Sequence, residues 1–315
     1  MNNLIFIKDS VKTADSNDCF VGELIFGKNR IKVPYRDIYG NIKYHSSFEN
    51  ILYRDHNIVT IGGYQFAFSK LFNIPLDENS TLRVGDLNDE APQMKIGVPR
   101  AEYISVDYNA ECSTENGENA PIIPGVNISA RNYIFGFMVG DGGSREDNTT
   151  AIAPRYIDRE LYHAIPFRMS NDGKAFPEGK YYGSAETFQG SSGQEPITSY
   201  FVKKFESDPY IVHKWVTDDA TEHSVVDDTV FTSTSSYSIE SYVEMDLMVT
   251  ADDCRGYFET TNSTPRINEF GLISGWYNPL KGEYEALRLF SHFNRNSLTL
   301  AEGDTIEAIY RLYAR

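Results

Sequence analysis

The clearest pattern of apolar and polar positions lies in the last third of the chain, Ser238 to Arg315. In Ile239–Val249 the odd positions are Ile239, Ser241, Val243, Met245, Leu247 and Val249, while the even ones include Glu240, Glu244 and Asp246. A period of two marks a strand with one buried face. Similar runs follow at INEFGLISGWYN, EYEALRLFSHF and DTIEAIYRLYA, each set off by turn residues. Together they predict an antiparallel β-meander. Between the first two, Thr250 can cap a turn of helix that Asp253 completes. In the closing run Ile306, Ala308, Tyr310 and Leu312 share one face, which predicts a final strand tied into the core sheet.

The first 84 residues read as short strands punctuated by glycine. Gly27-Lys28-Asn29 is expected to turn between Phe20–Phe26 and Arg30–Val33. Gly40-Asn41 is expected to turn between Asp37–Tyr39 and Ile42–Tyr44. Gly62-Gly63, between Ile58–Ile61 and Tyr64–Phe68, reads as a two-residue hairpin. Residues 85–128 are polar and Pro-punctuated, with one expected strand at Glu102–Asp107. Arg131–Val139 is apolar on both faces, as in a central strand. Leu161–Met169, interrupted by Pro166, suits an edge or a bulge. Residues 170–198 read as a long loop, and Tyr200–Phe205 and Val212–Val216 as strands. Asp218–His223 reads as a hairpin tip, and Val225–Thr232 leads into the C-terminal meander. The expected fold is therefore mainly β, an antiparallel sandwich or barrel-like arrangement with long loops and under a quarter helix. The expected organisation is an N-terminal β-rich region (1–95), a loop-rich connector (96–129) and a C-terminal β-sandwich (130–315).

Composition refines this picture at a few points. A hydrophobic fraction of 41% over 315 residues supports a real core. The net charge of −16 argues against a broad nucleic-acid footprint. Cys19, Cys112 and Cys254 are odd in number and widely spaced, so no disulfide framework or zinc knuckle is expected. The apolar run Leu4-Ile5-Phe6-Ile7 is too short for a signal peptide, and no run reaches the ~20 apolar residues of a membrane span.

Candidate chemistry is sparse. Gly140-Asp141-Gly142-Gly143 lacks the Lys and Ser or Thr of a phosphate loop, and a tight turn is expected there. Asp86, Asn88, Glu90, Asp218 and Asp219 offer calcium oxygens without the EF-hand spacing and are expected to be solvated loops. His45, His56, His163, His213, His223 and His292 show no zinc spacing, and His213 and His292 fall inside strands as packed or edge residues. Cys112 and Cys254 have no histidine beside them and read as small hydrophobes. No catalytic, cofactor-binding or metal residue is assigned, no cofactor is expected, and the chain reads as a non-enzyme.

Ile267-Asn268-Glu269-Phe270-Gly271-Leu272, then Leu289–Asn294 and a closing Ile306–Tyr313 strand, resembles virion structural proteins of tailed bacteriophages. The I-N-E-F-G-L element is similar to one in their tail, baseplate and fibre-attachment proteins. Phe135–Gly143 leading to Ala164–Arg168 strengthens the likeness, which covers about residues 130–315. The resemblance implies a structural subunit of the neck, collar, tail or baseplate, made in the host cytoplasm and resident in the virion. Its partners would be copies of itself and other virion proteins, with neither nucleic acid nor membrane. The alternative is a carbohydrate- or receptor-binding β-sandwich module of a tail fibre or baseplate. Trp215 and Trp276 would then stack on a host glycan, although tryptophan in a sandwich more often packs in the core.

Overall fold

A computed structural model describes residues 20–37, 39–72, 83–84, 94–95, 112–113, 119–120, 132–145, 149–170, 179–187, 197–217, 237–257, 263–278 and 283–314. In chain order the elements are β1 Phe20–Arg36, β2 Ile42–Val59, α1 Ile61–Phe72, β3 Arg83–Val84, β4 Met94–Lys95, β5 Cys112–Ser113, β6 Asn119–Ala120 and β7 Asn132–Gly140. Then come β8 Ala164–Ile165, β9 Arg168–Ser170, β10 Tyr181–Thr187, β11 Ile197–Lys204, β12 Tyr210–Thr217, β13 Tyr237–Thr250, β14 Arg266–Asn278, β15 Glu283–Thr299 and β16 Thr305–Ala314. The fold is mainly β and antiparallel, in line with the expected class. Helix makes up 8% of the described residues, in keeping with the expected content of under a quarter.

The chain forms two compact units, and each is drawn from separate stretches of sequence. The first comprises Met1–Asn57, Phe205–Met248 and Ile306–Arg315; the second comprises Ile58–Lys204 and Val249–Thr305. In the first unit the strand order is β2–β1–β16–β13–β12. Ile25, Phe48 and Ile309 form one part of its core, and Tyr35, Val212 and Tyr242 another. In the second unit the order is β10–β11–β7–β14–β15, with the end of β2 beside β15 through Val59 and Ile58. Its core gathers Phe135, Met138, Leu161, Phe201, Ile273 and Leu289.

The four C-terminal strands form where their patterns predict, but they are not a meander. Only β14 and β15 pair as a hairpin; β16 pairs with β1 instead, and β13 lies between β16 and β12. β16 is central, as expected, with Ala308, Ile309, Tyr310, Arg311 and Leu312 all buried. β7 is central too, flanked by β11 and β14. β13 keeps its predicted phase at Met245, Leu247 and Val249, then departs from it at Tyr242 and Glu244, which are also buried. The odd-even rule fails at Glu244 because Arg311 on the neighbouring strand donates to its buried carboxylate.

Of three turn expectations, two are overturned and one holds. Gly27-Lys28-Asn29 lies inside the continuous strand β1, at a bulge between Phe26 and Gly27. A Cβ at Gly27 would lie 2.2 Å from Phe48 Cγ, and Asn29 takes a φ of 58°. Turn-type residues serve here to bend a long strand. Gly62-Gly63 opens helix α1 and is not a hairpin. Thr60 caps that helix, its carbonyl accepting from Tyr64 N at 3.0 Å and its hydroxyl from Gly63 N at 3.3 Å. The glycines permit close approach to β15, since a Cβ at Gly63 would sit 2.2 Å from the Phe290 carbonyl oxygen. The third expectation holds: Asp37 Oδ1 accepts from Tyr39 N and Asn41 N, and Gly40 has φ +83°.

Leu161–Met169 splits into β8 and β9, and β10 runs through the stretch read as a loop because Gly and Ser dominate its composition. The strand expected at Glu102–Asp107, the tip at Asp218–His223 and the Val225–Thr232 lead-in lie outside the described residues.

Candidate functional site

Among the described residues, many of the buried chemistry-bearing side chains gather in three ionic clusters, each tying strands together. In the second unit His292 of β15 is completely buried between two carboxylates. Its Nδ1 lies 2.7 Å from Asp158 Oδ2 and its Nε2 lies 2.8 Å from Glu269 Oε1. Burial alone would lower the imidazole pKa, but the hydrogen bonds and charges of the two carboxylates outweigh it and raise the value. Asp158 also accepts from Arg155 N at 2.8 Å, Arg155 Nε at 3.0 Å and Tyr162 Oη at 3.1 Å. Burial opposes its charge, yet the His292 bond and the Arg155 amide hold its carboxyl below the usual range. Because the carboxylates face opposite ring nitrogens, no single metal ion could be held by all three side chains.

The second cluster, in the same unit, centres on Asp253. Thr250 N donates to Asp253 Oδ2 at 2.8 Å, and Asp253 N donates back to Thr250 Oγ1 at 3.2 Å, so the predicted capping pair forms. The same carboxylate meets Lys203 Nζ at 2.8 Å, Lys180 Nζ at 3.3 Å and Tyr181 Oη at 2.5 Å. Lys203 is fully buried on β11. Burial disfavours the Asp253 charge, but the Lys203 ammonium and its hydrogen bond overcome that and bring the carboxyl down to about 2. Beside it, burial pushes the Cys254 thiol up to about 12, which leaves it without thiolate character.

In the first unit Arg311 of β16 and Glu244 of β13 form the third cluster. Arg311 Nε donates to Glu244 Oε2 at 3.0 Å and its Nη2 to Ser46 O at 2.9 Å. Ser46 N and the Tyr210 hydroxyl donate to Glu244, and His45 Nδ1 sits 3.2 Å from Arg311 Nη2. Four strands thus meet at one ion pair.

The Gly140–Gly143 loop is closed by the protein's own backbone. Cβ atoms at Gly140, Gly142 and Gly143 would come within 2.4, 2.6 and 2.5 Å of backbone atoms of His163, His163 and Asn268. The glycines therefore serve close packing, the role taken by a turn in the sequence reading. Asp141 and His163 form an exposed pair beside this loop. An acid–histidine pair becomes a triad only with a hydroxyl or thiol nucleophile. Ser144, the serine nearest in sequence, faces Ser297 at 3.3 Å and accepts from Asn268 Nδ2 at 2.7 Å.

His213 lies on β12 with Nδ1 2.7 Å from Ser241 Oγ, the packed strand position expected of it. His56 lies on β2, half-buried. Cys19, Asp86, Asn88, Glu90, Asp218, Asp219 and His223 lie outside the described residues, as do the side chains of Cys112, Trp215 and Trp276. Among the described residues no group of three His, Cys, Asp or Glu is placed to hold a metal, and no helix is long and apolar enough to cross a membrane.

No protein-family model, no curated protein and no solved structure matches the chain. The I-N-E-F-G-L stretch has a definite physical role. Asn268 accepts from Gly143 N at 2.7 Å and donates to Asp141 O at 3.0 Å, while Glu269 accepts from Tyr162 N, His163 N and His292. Gly271 makes room for Leu289, whose Cδ1 would lie 2.5 Å from a Cβ there. Reading for exposed chemistry missed Asp158, Glu269, Lys203, Glu244 and Arg311. The sequence marks most of them in another way, as charges inside apolar runs, where a buried ion needs a partner.

Proposed function

We propose that this chain is a non-enzymatic structural subunit that works by protein–protein assembly with copies of itself and with other proteins, as part of a tailed-phage virion. The observation that carries the assembly reading is an exposed apolar patch at the outer end of the β1–β2 hairpin. Tyr44 pairs with Pro34 and Ile42 with Arg36, so these four residues share one face of the hairpin. Ile42 is 51% and Tyr44 57% exposed, Pro34 is exposed beside them, and Tyr39 at the turn is 79% exposed. Single exposed apolar residues are ordinary, but clustered ones mark interaction surfaces, and tyrosine is enriched there. The ionic clusters support the same reading, because their carboxylates and cations are buried and engaged in joining strands. The virion setting rests on the motif resemblance at Ile267–Leu272 and Phe135–Gly143.

Light scattering on the purified chain over a concentration series tests the assembly reading. Concentration-dependent oligomers that Ile42→Asp and Tyr44→Asp reduce to monomer, with circular dichroism unchanged, would support it. Variants that assemble like the parent would refute the patch. Immunogold labelling of purified particles tests the setting: label at neck or tail supports it, and label only in the particle-free fraction refutes it.

A further inference from the structure

We propose that Asp158, His292 and Glu269 form a pH-sensitive latch: His292 as an imidazolium holds residues 155–163 against β14 and β15, and loss of its proton on the alkaline side releases that segment. The geometry sets the protonation state. A neutral imidazole has one N–H, whereas an imidazolium has two donors. Here each ring nitrogen lies within 2.8 Å of a carboxylate oxygen, and all three side chains are at most 1% exposed. With a carboxylate oxygen facing each nitrogen, both contacts are satisfied by the ring only when it carries both N–H donors.

The charged and titratable groups around the ring belong to few elements. Glu269 faces it from β14. Asp158 and Tyr162 face it from the segment, the Tyr162 ring lying 4.9 Å away edge-on. Arg155 lies over Tyr162 at 5.8 Å, and His163 turns its ring to Asp141. From β2 only Ile58 and Val59 pair with this part of β15, and Gly271 stands opposite His292 on β14. Burial, then the Asp158 charge, pushes the Tyr162 phenol up to about 12, so it stays neutral while His292 titrates. His292 is therefore the group of this cluster that loses its charge as pH rises, above the ordinary imidazole value.

Both carboxylates hold the same segment. Asp158 belongs to it and grips Arg155 and Tyr162, while Glu269 accepts the Tyr162 and His163 amides. When the imidazolium loses a proton, one buried carboxylate loses its ring N–H donor and its counter-charge and keeps only its bonds to the segment, which favours the entry of water. Opening the segment lets water in. The same segment carries exposed Tyr156 and Ile157, and Tyr156 O accepts from Ile61 N at 2.7 Å at the start of α1. Release therefore alters the surface on which these apolar side chains are displayed.

The sign follows from the raised folded pKa. The latch is fully formed below the ordinary imidazole value near 6.5 and is lost as pH rises through the higher folded value.

Hydrogen exchange read by mass spectrometry from pH 6 to 10, corrected for intrinsic rates, tests the proposal. Peptides covering 155–163 should lose protection about tenfold per pH unit above the crossing, as expected for one linked proton, while β7 peptides hold theirs. In His292→Gln the dependence should vanish. Nitrogen-15 spectra of labelled histidine in the unaltered chain give an independent reading should that variant fail to fold. Two protonated ring nitrogens on His292 at pH 7 support the latch, and Asp158→Asn should move its titration to lower pH. Constant protection from pH 6 to 10, an unchanged slope in His292→Gln, or a neutral His292 ring at pH 6–7 would each overturn it.

Discussion

Replacing Asp253 with Asn should destabilise the second unit by about 3–5 kcal/mol, the usual cost of leaving a buried charge without its partner. The substitution keeps the shape of the side chain and part of its bonding to Thr250 but removes its charge. Lys203, with 0% side-chain exposure, then has no carboxylate 2.8 Å away. A second route gives a lower bound. The Asp253 carboxyl is held at about 2 against a reference of 3.8, which corresponds to about 2 kcal/mol at neutral pH. Lys203→Met should cost less, about 2–3 kcal/mol, because Tyr181 and Thr250 still donate to Asp253. The double variant should lose less than the sum of the two by about 2 kcal/mol, the coupling of the pair. Urea unfolding measures all three, provided the slope with denaturant is unchanged. The chain has two tryptophans, so a Trp215→Phe background leaves Trp276 on β14 to report the second unit alone. A loss under 1 kcal/mol for Asp253→Asn, or strict additivity in the cycle, would show that the pair does not anchor this unit.

Three further outcomes are expected. As pH falls from about 4 towards 2, stability should drop, because the depressed Asp253 and Asp158 carboxyls favour the folded state above their unfolded values and lose that contribution on protonation; a thermal melt series checks this, and a flat profile would contradict it. Glu244→Gln should destabilise the first unit by about 3–5 kcal/mol by leaving Arg311 buried without a counter-charge, read by urea unfolding; a cost near zero would mean the Ser46 carbonyl alone suffices. Gly63→Ala should cost more than about 1–3 kcal/mol, since its methyl would meet the Phe290 carbonyl, whereas Gly40→Ala, with open space but φ +83°, should cost only about 1 kcal/mol of backbone strain; equal effects would mean the helix can shift away from β15.

Much of this fold is legible in the sequence because strand alternation is a local property. β13, β14, β15 and β16 could each be placed from their own residues. Their partners could not, since pairing depends on surfaces far apart in the chain: nothing in Ile306–Tyr313 specifies that Tyr310 will lie opposite Leu24. Gly62-Gly63 shows a different limit. The same dipeptide fits a hairpin or a helix packed tightly on a strand, and Thr60 decides between them by capping. The ionic clusters were partly visible. Glu269 between Asn268 and Phe270, and Arg311 between Tyr310 and Leu312, are charges in runs that bury both faces. Their identity as partners of His292 and Glu244 follows only from the three-dimensional register.

The interleaved first unit has a consequence for how the protein is made. β1 and β2 emerge from the ribosome early, yet the strand that covers β1, β16, follows about 270 residues later. At roughly 5–20 residues per second that is a wait of about 15–50 s. During this interval β1 presents an unpaired edge carrying Val21, Leu24, Ile25 and Phe26, the kind of edge that recruits strands from neighbouring nascent chains. The second unit ends at Thr305 and can close before the first. Slow translation, or crowding of chains on one message, should therefore favour aggregation through the β1–β2 hairpin, and β16 acts as the timing element of biosynthesis.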